Sequence, residues 1–297
     1  MMHFGHVITA MATPFDREGR VNFPRAAELA RRLVERGSDG LVIAGTTGES
    51  PTLADEEKVA LFRTIKETVG ARAKVIAGTG TYNTAHSIHL TAEAEKAGAD
   101  GILLVNPYYN RPSQDGLYAH FRAIADSTRL PVILYNIPGR TGVNCLPETV
   151  ARLADVPNIV GIKEATGSLD QASEVRKRTP PDFLIYSGDD SLTLPMLAVG
   201  GTGVISVASH LVGTEIGQMI RAFQAGDVRA ALVLHLRLWG IFRVLFITTN
   251  PVPLKAALAL AGFDVGKPRL PLVEATPKEQ EQVRAVLQEL NLVPVAA

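Results

Sequence analysis

The chain has 297 residues, 46% of them hydrophobic, which is a size that one α/β barrel can fill without splitting into domains. Thirty basic and thirty acidic residues give no net charge, and no lysine- or arginine-rich run indicates a nucleic acid or an acidic membrane surface as a partner. Cys145 is the one cysteine, which excludes an internal disulfide and fits a reducing compartment. Since there is neither a signal-like amino terminus nor an apolar run of roughly 18 residues, we expect a soluble, cytoplasmic protein without a membrane segment.

Short β-branched runs alternate with longer helical segments over the first two thirds of the chain. Eight runs predict strands: "HVITAMA" (6–12), "DGLVIAG" (39–45), "AKVIAG" (73–78), "DGILLVN" (100–106), "PVILYNI" (131–137), "NIVGIKEA" (158–165), "FLIYSG" (183–188) and "TGVISVA" (202–208). Segments between them, such as "FPRAAELARRLVERG", have apolar residues three and four positions apart. Eight units of this kind favour an α/β protein with a closed (β/α)8 TIM barrel over a doubly wound sheet.

The pattern changes after the eighth predicted strand. Only helical stretches follow, around 214–225, 227–247, 253–262 and 277–290. We therefore assign residues 1–224 to a catalytic barrel and residues 225–297 to a C-terminal helical extension. No shift in composition indicates that the extension folds by itself.

Polar residues with useful chemistry follow several of the predicted strands. The clusters are "GTTGES" (45–50), "NPYYNRPSQ" (106–114), "YNIPGRTG" (135–142), Lys163 and "SGDD" (187–190). All five lie at the carboxyl ends of their strands, where barrels of this type carry their active sites. The sequence therefore predicts one active site at that end of the barrel.

Lys163 is the most unusual of these residues, because it ends an apolar strand. Strand alternation places Lys163, Gly161 and Ile159 on the inner face, with Val160 and Ile162 turned to the helices. On this interpretation Gly161 leaves room for the long lysine side chain. By the same alternation Tyr135 faces inward on the neighbouring strand, at the level of Lys163.

An amine held in such a place has one leading use. Burial disfavours the charged form of an amine, and the neutral form attacks ketones to give an imine, which can become an enamine. A phenol such as that of Tyr135 can move protons in these steps. The ordinary alternatives are that Lys163 reaches solvent or pairs with a carboxylate, and that Tyr135 is a core residue with a satisfied hydroxyl.

Other motifs also have more than one interpretation. "GTTGES" could start a helix with Ser50 as cap and Pro51 at the first position, or could bind an anion through backbone N–H groups. Arg140 could simply form a surface ion pair. "HSIH" (86–89) has metal-ligand spacing on a helix, but no third ligand is evident, so we expect no metal site.

Taken in order, the motifs resemble those of the dihydrodipicolinate synthase family, within the superfamily of pyruvate-dependent class I aldolases. The resemblance runs from "ITAMATPF" through "GTTGES", "NPYYNRPSQ", "YNIPGRTG", "GIKEATG" and "SGDD" to "NPVPLKAAL". It implies a cofactor-free condensation of pyruvate with L-aspartate 4-semialdehyde, on the diaminopimelate route to lysine. It also implies a homotetramer built from dimers.

The resemblance assigns a role to each candidate site residue. Lys163 matches the lysine that forms the imine with pyruvate, and Tyr135 matches the tyrosine that shuttles protons. Thr46 matches the threonine that links this tyrosine to a second one, matched by Tyr109, which in the family comes from the neighbouring subunit. The substrate-binding positions are matched by Thr47 for the pyruvate carboxylate, Arg140 for the semialdehyde carboxylate, and Gly188 and Ile205 for backbone that lines the pocket.

Two alternatives and one departure remain. A lyase or aldolase for a keto-deoxy sugar acid would share the lysine, tyrosine and glycine-rich loop but usually lacks the arginine at position 140, and a non-catalytic barrel could bind keto acids. Lysine-inhibited family members often have His, His, Asn and Glu where this chain has Asp55, Lys58, Tyr82 and His86. We therefore predict weak or absent feedback inhibition by lysine.

Overall fold

The computed structural model describes residues 4–294 and contains one closed barrel of eight parallel strands in sequential order. The strands are β1 (Val7–Ala10), β2 (Gly40–Ile43), β3 (Lys74–Gly78), β4 (Gly101–Val105), β5 (Val132–Asn136), β6 (Ile159–Glu164), β7 (Leu184–Ser187) and β8 (Gly203–Ser206). Each lies inside one of the eight predicted runs, and β8 pairs with β1 to close the barrel. The prediction of a (β/α)8 TIM barrel is therefore confirmed.

Helices cover the outside of the barrel and continue beyond it. Those that follow β1 to β8 are α1 (Phe23–Glu35), α2 (Asp55–Val69), α3 (Thr84–Lys96), α4 (Gln114–Asp126), α5 (Pro138–Thr141), α6 (Pro147–Ala154), α7 (Leu169–Arg178), α8 (Thr193–Ala198) and α9 (Ser209–Gln224). The last three are α10 (Val228–Val244), α11 (Val252–Leu260) and α12 (Pro277–Glu289). Within residues 4–294, none of these helices has the length and apolar character needed to cross a lipid bilayer.

Two apolar cores result from the alternation of side chains along the strands. The barrel interior is filled by one set, which includes Ile8, Val42, Ile76, Leu103, Ile133, Tyr186 and Ile205. The opposite faces pack against the helices in a larger core, and α10 and α12 join this core through Leu238, Ile241, Val283 and Leu287. The C-terminal helices are thus packed on the barrel through a shared core, while the domain boundary after residue 224 stays a prediction.

Strand β6 departs from regular alternation at its start. Val132 of β5 pairs with Ile159, but the next residue, Ile133, pairs with Gly161, so Val160 is an extra residue in a bulge. Ile159 consequently packs in the outer core and Val160 against the barrel interior, which makes the predicted orientation of these two residues wrong. Beyond the bulge, alternation resumes as predicted, with Ile162 toward the helices.

Gly161 is required for a different reason from the one expected. A Cβ atom on this residue would lie 2.5 Å from the backbone oxygen of Leu184 and 2.8 Å from its Cβ atom, on the neighbouring strand β7. The glycine therefore permits the close approach of β6 and β7, and its expected role of leaving room for Lys163 is not the one these contacts indicate.

Candidate active site

Lys163 and Tyr135 occupy paired positions on β6 and β5, and both are about 95% buried, with 5% of each residue exposed. The Lys163 Nζ atom lies 4.4 Å from the centroid of the Tyr135 ring, which places the amine and the phenol side by side inside the barrel mouth. The predicted juxtaposition of the two side chains is therefore present in the fold.

The surroundings of Lys163 differ from those of the other buried lysines in residues 4–294. Lys255 has a carboxylate 2.7 Å from its Nζ atom, and Lys58 has one at 3.7 Å. Lys163 has no carboxylate within ion-pair distance among the described residues, and it does not extend into solvent. Within residues 4–294, Lys163 therefore has neither the carboxylate partner nor the exposure to solvent that would ordinarily explain a lysine at a strand end. Burying an ammonium without a partner is costly.

A cavity of about 220 Å³ opens at the carboxyl ends of β2 to β5. Its wall is formed by Ala44, Gly45, Thr46, Ser50, Pro51, Gly78, Gly80, Leu103, Val105, Tyr108, Tyr135, Ile137, Arg140 and Thr141. Three of the predicted site residues, Thr46, Tyr135 and Arg140, belong to this wall. A mostly apolar wall with a few convergent polar groups is typical of a site for a small molecule.

Arg140 stands at the exposed edge of the cavity on the short helix α5. Pro138 starts this helix, and Gly142, with a φ of 73°, ends it in the left-handed conformation that glycine adopts without strain. No carboxylate among residues 4–294 lies within ion-pair distance of Arg140, in contrast to the surface-pair alternative. Its guanidinium is thus available to a carboxylate of a ligand.

The "GTTGES" loop connects β2 to the cavity wall in a strained conformation. Ala44 and Glu49 have φ values of 55° and 57°, in the left-handed region that non-glycine residues avoid. Ser50 begins a single 3-10 turn, Ser50–Thr52, whose N-cap residue is Glu49 without a side-chain cap bond. The alternative in which Ser50 caps a helix and Pro51 takes its first position is therefore wrong.

Five of the predicted site residues are not part of the cavity wall: Lys163, Thr47, Tyr109, Gly188 and Ile205. Thr47 is 3% exposed, and its Oγ1 atom accepts a hydrogen bond from Asn250 Nδ2 at 2.9 Å. Ile205 belongs to the barrel interior. A Cβ atom at Gly188 would lie 2.4 Å from the Cβ atom of Ala165, so glycine is needed where the chain leaves β7 beside the end of β6.

Tyr109 points away from the site of its own chain. Its side chain is 94% exposed, its φ is 71°, and the neighbouring Tyr108 lines the cavity instead. Tyr108 also packs edge-to-face on Tyr82, with ring centroids 5.2 Å apart. A role for Tyr109 at Lys163 of the same chain is thus not supported by this geometry.

Comparisons with known proteins agree with the fold. The sequence profile of the dihydrodipicolinate synthetase family matches residues 3–290. The chain belongs to this family. The 4-hydroxy-tetrahydrodipicolinate synthase of Desulforudis audaxviator is 61% identical over 98% of this chain and 99% of its own length, and that of Cyanothece sp. is 60% identical over 99% and 100%.

Solved structures of family members superpose along the full chain. The enzyme of Cyanidioschyzon merolae with lysine bound has a TM-score of 0.96 at 49% identity and covers 98% of this chain and 99% of its own. The chloride-inhibited enzyme of Acinetobacter baumannii complexed with pyruvate has a TM-score of 0.95 at 36% identity, covering 98% and 100%.

Sequence reasoning missed a buried polar cluster next to Lys163 and Tyr135. Glu164 Oε2 accepts hydrogen bonds from Asn136 and Gln171, both at 3.2 Å, and its Oε1 accepts one from the backbone of Thr166 at 2.8 Å. Burial raises the pKa of Glu164. Because Asn136 and Glu164 follow Tyr135 and Lys163 directly, these bonds fix the relative position of the two strand ends. The sequence did contain a signal for this cluster, since Asn136 and Glu164 are polar residues at outward-facing positions of apolar strands.

Proposed function

We propose that the chain is a 4-hydroxy-tetrahydrodipicolinate synthase, a lyase that condenses pyruvate with L-aspartate 4-semialdehyde on the diaminopimelate route to lysine in the cytoplasm. The observation that carries the proposal is a buried lysine without a counter-ion, 4.4 Å from a tyrosine ring, in a chain 61% identical to an enzyme of that name. No cofactor is assigned to the reaction, since the lysine amine supplies its electron sink.

The chemistry starts at the Lys163 amine. It attacks the ketone carbon of pyruvate, and loss of water gives a protonated imine. Removal of a methyl proton, with Tyr135 as the proton carrier, gives an enamine whose carbon attacks the aldehyde. The aldehyde oxygen takes up a proton, and the amino group of the semialdehyde then attacks the imine carbon, which closes a six-membered ring and releases the Lys163 amine.

The remaining predicted residues take supporting roles in this proposal. Thr46, which lines the cavity with Tyr135, passes protons to and from the tyrosine, and Thr47 holds the pyruvate carboxylate. Arg140 receives the semialdehyde carboxylate, because its guanidinium stands at the cavity edge without an ion-pair partner in the described residues. The backbones of Gly188 and Ile205 border the pyruvate end of the site.

Assembly completes the site in this proposal. We infer a homotetramer made of two dimers, with Tyr109 entering the partner's site. Tyr109 is 94% exposed, as a residue that is buried only in a dimer would be. A separate apolar stripe on α10, formed by Val228, Leu232, Leu236 and Trp239, is 46–62% exposed and suits a second interface.

The experiment is to incubate the protein with pyruvate, add borohydride and measure the intact mass. We expect one pyruvate adduct per chain, absent from Lys163→Ala. A Lys163→Ala protein that still forms the adduct, or a wild-type protein that forms none, would overturn the proposed function. Loss of the adduct in the variant also excludes a barrel that only binds keto acids.

The choice of aldehyde is tested with Arg140→Ala. We expect its KM for L-aspartate 4-semialdehyde to rise about tenfold or more, since a charge-assisted bond is lost, while the pyruvate adduct forms as before. Turnover of a keto-deoxy sugar aldehyde that exceeds turnover of the semialdehyde, and that is unaffected by Arg140→Ala, would favour the sugar-acid enzyme instead.

A further inference from the structure

The C-terminal region reaches across the molecule to hold the "GTTGES" loop. Asn250, just before α11, is 4% exposed and donates from Nδ2 to Thr47 Oγ1 at 2.9 Å, across 203 positions of sequence. Lys255 Nζ lies 2.7 Å from Glu49 Oε1, with the two side chains 3% and 1% exposed. The backbone N–H of Arg269 donates to the other oxygen of Glu49 at 2.8 Å.

These contacts stabilise a loop in which two residues have unfavourable backbone dihedral angles. Two non-glycine residues with left-handed φ values, Ala44 and Glu49, are maintained only when the surrounding structure fixes them. The buried pair of Glu49 and Lys255 supplies one anchor, and the hydroxyl of Thr13, which donates to Gly48 O at 2.6 Å, supplies another. Thr47 directly precedes the two anchored residues, Gly48 and Glu49, so these contacts restrict its position.

The hydrogen bond from Asn250 also determines the orientation of the Thr47 hydroxyl. A threonine hydroxyl has one proton to donate and two lone pairs that accept. Since the Asn250 amide donates to Thr47 Oγ1, the proton of Thr47 must point away from Asn250. Among the residues that the structure describes, Thr47 Oγ1 has no other hydrogen-bond partner, which leaves its proton for a ligand.

We propose that Asn250 is a positioning residue for pyruvate, which fixes the Thr47 hydroxyl as a donor to the pyruvate carboxylate. The proposal rests on the proposed function, because it takes pyruvate as the ligand beside Lys163. Asn250 does not touch the reacting atoms in this arrangement. It acts through Thr47, and therefore on the affinity for one substrate.

The test measures the pyruvate concentration that gives half of the maximal borohydride-trapped adduct, together with steady-state kinetics. Asn250→Ala should raise this concentration about tenfold. Without Asn250 the Thr47 hydroxyl is no longer held as a donor, so its hydrogen bond to the charged pyruvate carboxylate is lost. Asn250→Asp, which has the same shape, should raise this concentration further, because the carboxylate accepts the Thr47 proton and repels pyruvate. We expect kcat at saturating pyruvate and the KM for the semialdehyde to stay within about twofold, as removal of ground-state binding requires.

A double-mutant cycle separates positioning through Thr47 from a general structural role. In a Thr47→Val background, Asn250→Ala should have no further effect on pyruvate affinity, because the hydroxyl that it orients is gone. Asn158→Ala is the matched control. The side-chain amide of Asn158 also donates hydrogen bonds, in its case to backbone carbonyls. Asn158 lies just before β6, at the end of the barrel opposite the site, so its loss should lower stability and leave pyruvate affinity unchanged.

The outcomes are distinct. Unchanged half-saturation in Asn250→Ala, or full additivity with Thr47→Val, would overturn the positioning role while the adduct on Lys163 still supported the proposed function. A fall in kcat with equal losses for both substrates would also count against it, since that pattern indicates general distortion. The absence of any adduct in the wild-type protein would remove the proposed function and this inference together.

Discussion

His210 lies fully buried between the chain segments that follow β8 and β1. Its Nδ1–H donates to Val207 O at 2.8 Å, and its Nε2 accepts the backbone N–H of Ala12 at 3.1 Å. Because Nε2 must be unprotonated to accept this bond, the ring is neutral in the folded state. Burial lowers the pKa of His210 from 6.5 to about 4.

This lowered pKa predicts a loss of stability in acid. Below pH 6.5 the unfolded chain takes up a proton that folded His210 does not, so its contribution is intact above pH 6.5 and falls as the pH drops toward 4. The full loss is about 3 kcal/mol in free energy of unfolding. We expect His210→Gln, which can still accept from Ala12 but does not titrate, to show a shallower decline in urea unfolding between pH 6.5 and 4. Parallel declines in the two proteins would contradict the assignment.

The residues that replace the lysine-inhibition pattern give a second prediction. Asp55 is already engaged, with His86 Nε2 at 2.7 Å and Lys58 Nζ at 3.7 Å. A free lysine would meet a paired carboxylate and a buried cation, so we expect less than twofold inhibition at about 1 mM L-lysine in initial-rate assays. A variant with the residues typical of inhibited members, Asp55→His, Lys58→His, Tyr82→Asn and His86→Glu, should be inhibited by lysine. The His86→Glu change supplies the carboxylate that would bind the lysine amine. Inhibition of the wild-type protein below that concentration would refute the prediction.

At the scale of secondary-structure elements, the position of Lys163 depends on how closely β6 and β7 pack. Gly161→Ala would place a Cβ atom 2.5 Å from Leu184 O, which is backbone and can move only if the strands separate. We expect the free energy of unfolding to fall by about 3 kcal/mol and the pyruvate adduct to decrease, because Lys163 is two residues along the same strand. Gly139→Ala, where nothing lies within 4 Å of the added atom, is the control for stability. Equal urea midpoints for the two variants would contradict this prediction, because they would show that β7 can move away from β6 without a loss in the free energy of unfolding.

The elements also show where sequence reasoning stops. Strand and helix periodicity was sufficient to place Lys163 beside Tyr135, and to bring Thr46 and Arg140 to one cavity, because alternation and βα order determine which side chains share the barrel mouth. The bulge at Val160 was not predictable, since it depends on how two strands pair.

At the scale of the whole molecule, contacts between distant segments and between chains could not be predicted from local sequence patterns. Asn250 and Thr47 are 203 positions apart, and nothing in either motif indicates that they meet. The family resemblance, and not periodicity, supplied the proposed role of Tyr109, whose side chain in one chain faces outward. Its role must therefore be tested between two chains.

A complementation experiment decides whether Tyr109 acts across subunits. Tyr109→Phe and Lys163→Ala should each be inactive alone, the first from loss of the phenol hydroxyl and the second from loss of the amine. In a hybrid dimer, one of the two sites would combine the intact Lys163 of one chain with the intact Tyr109 of the other. Random mixing by co-expression should therefore restore about one quarter of wild-type activity, as two-fold symmetry requires. If Tyr109 acted within its own chain or had no role, the mixture would show no such recovery, or Tyr109→Phe alone would remain active.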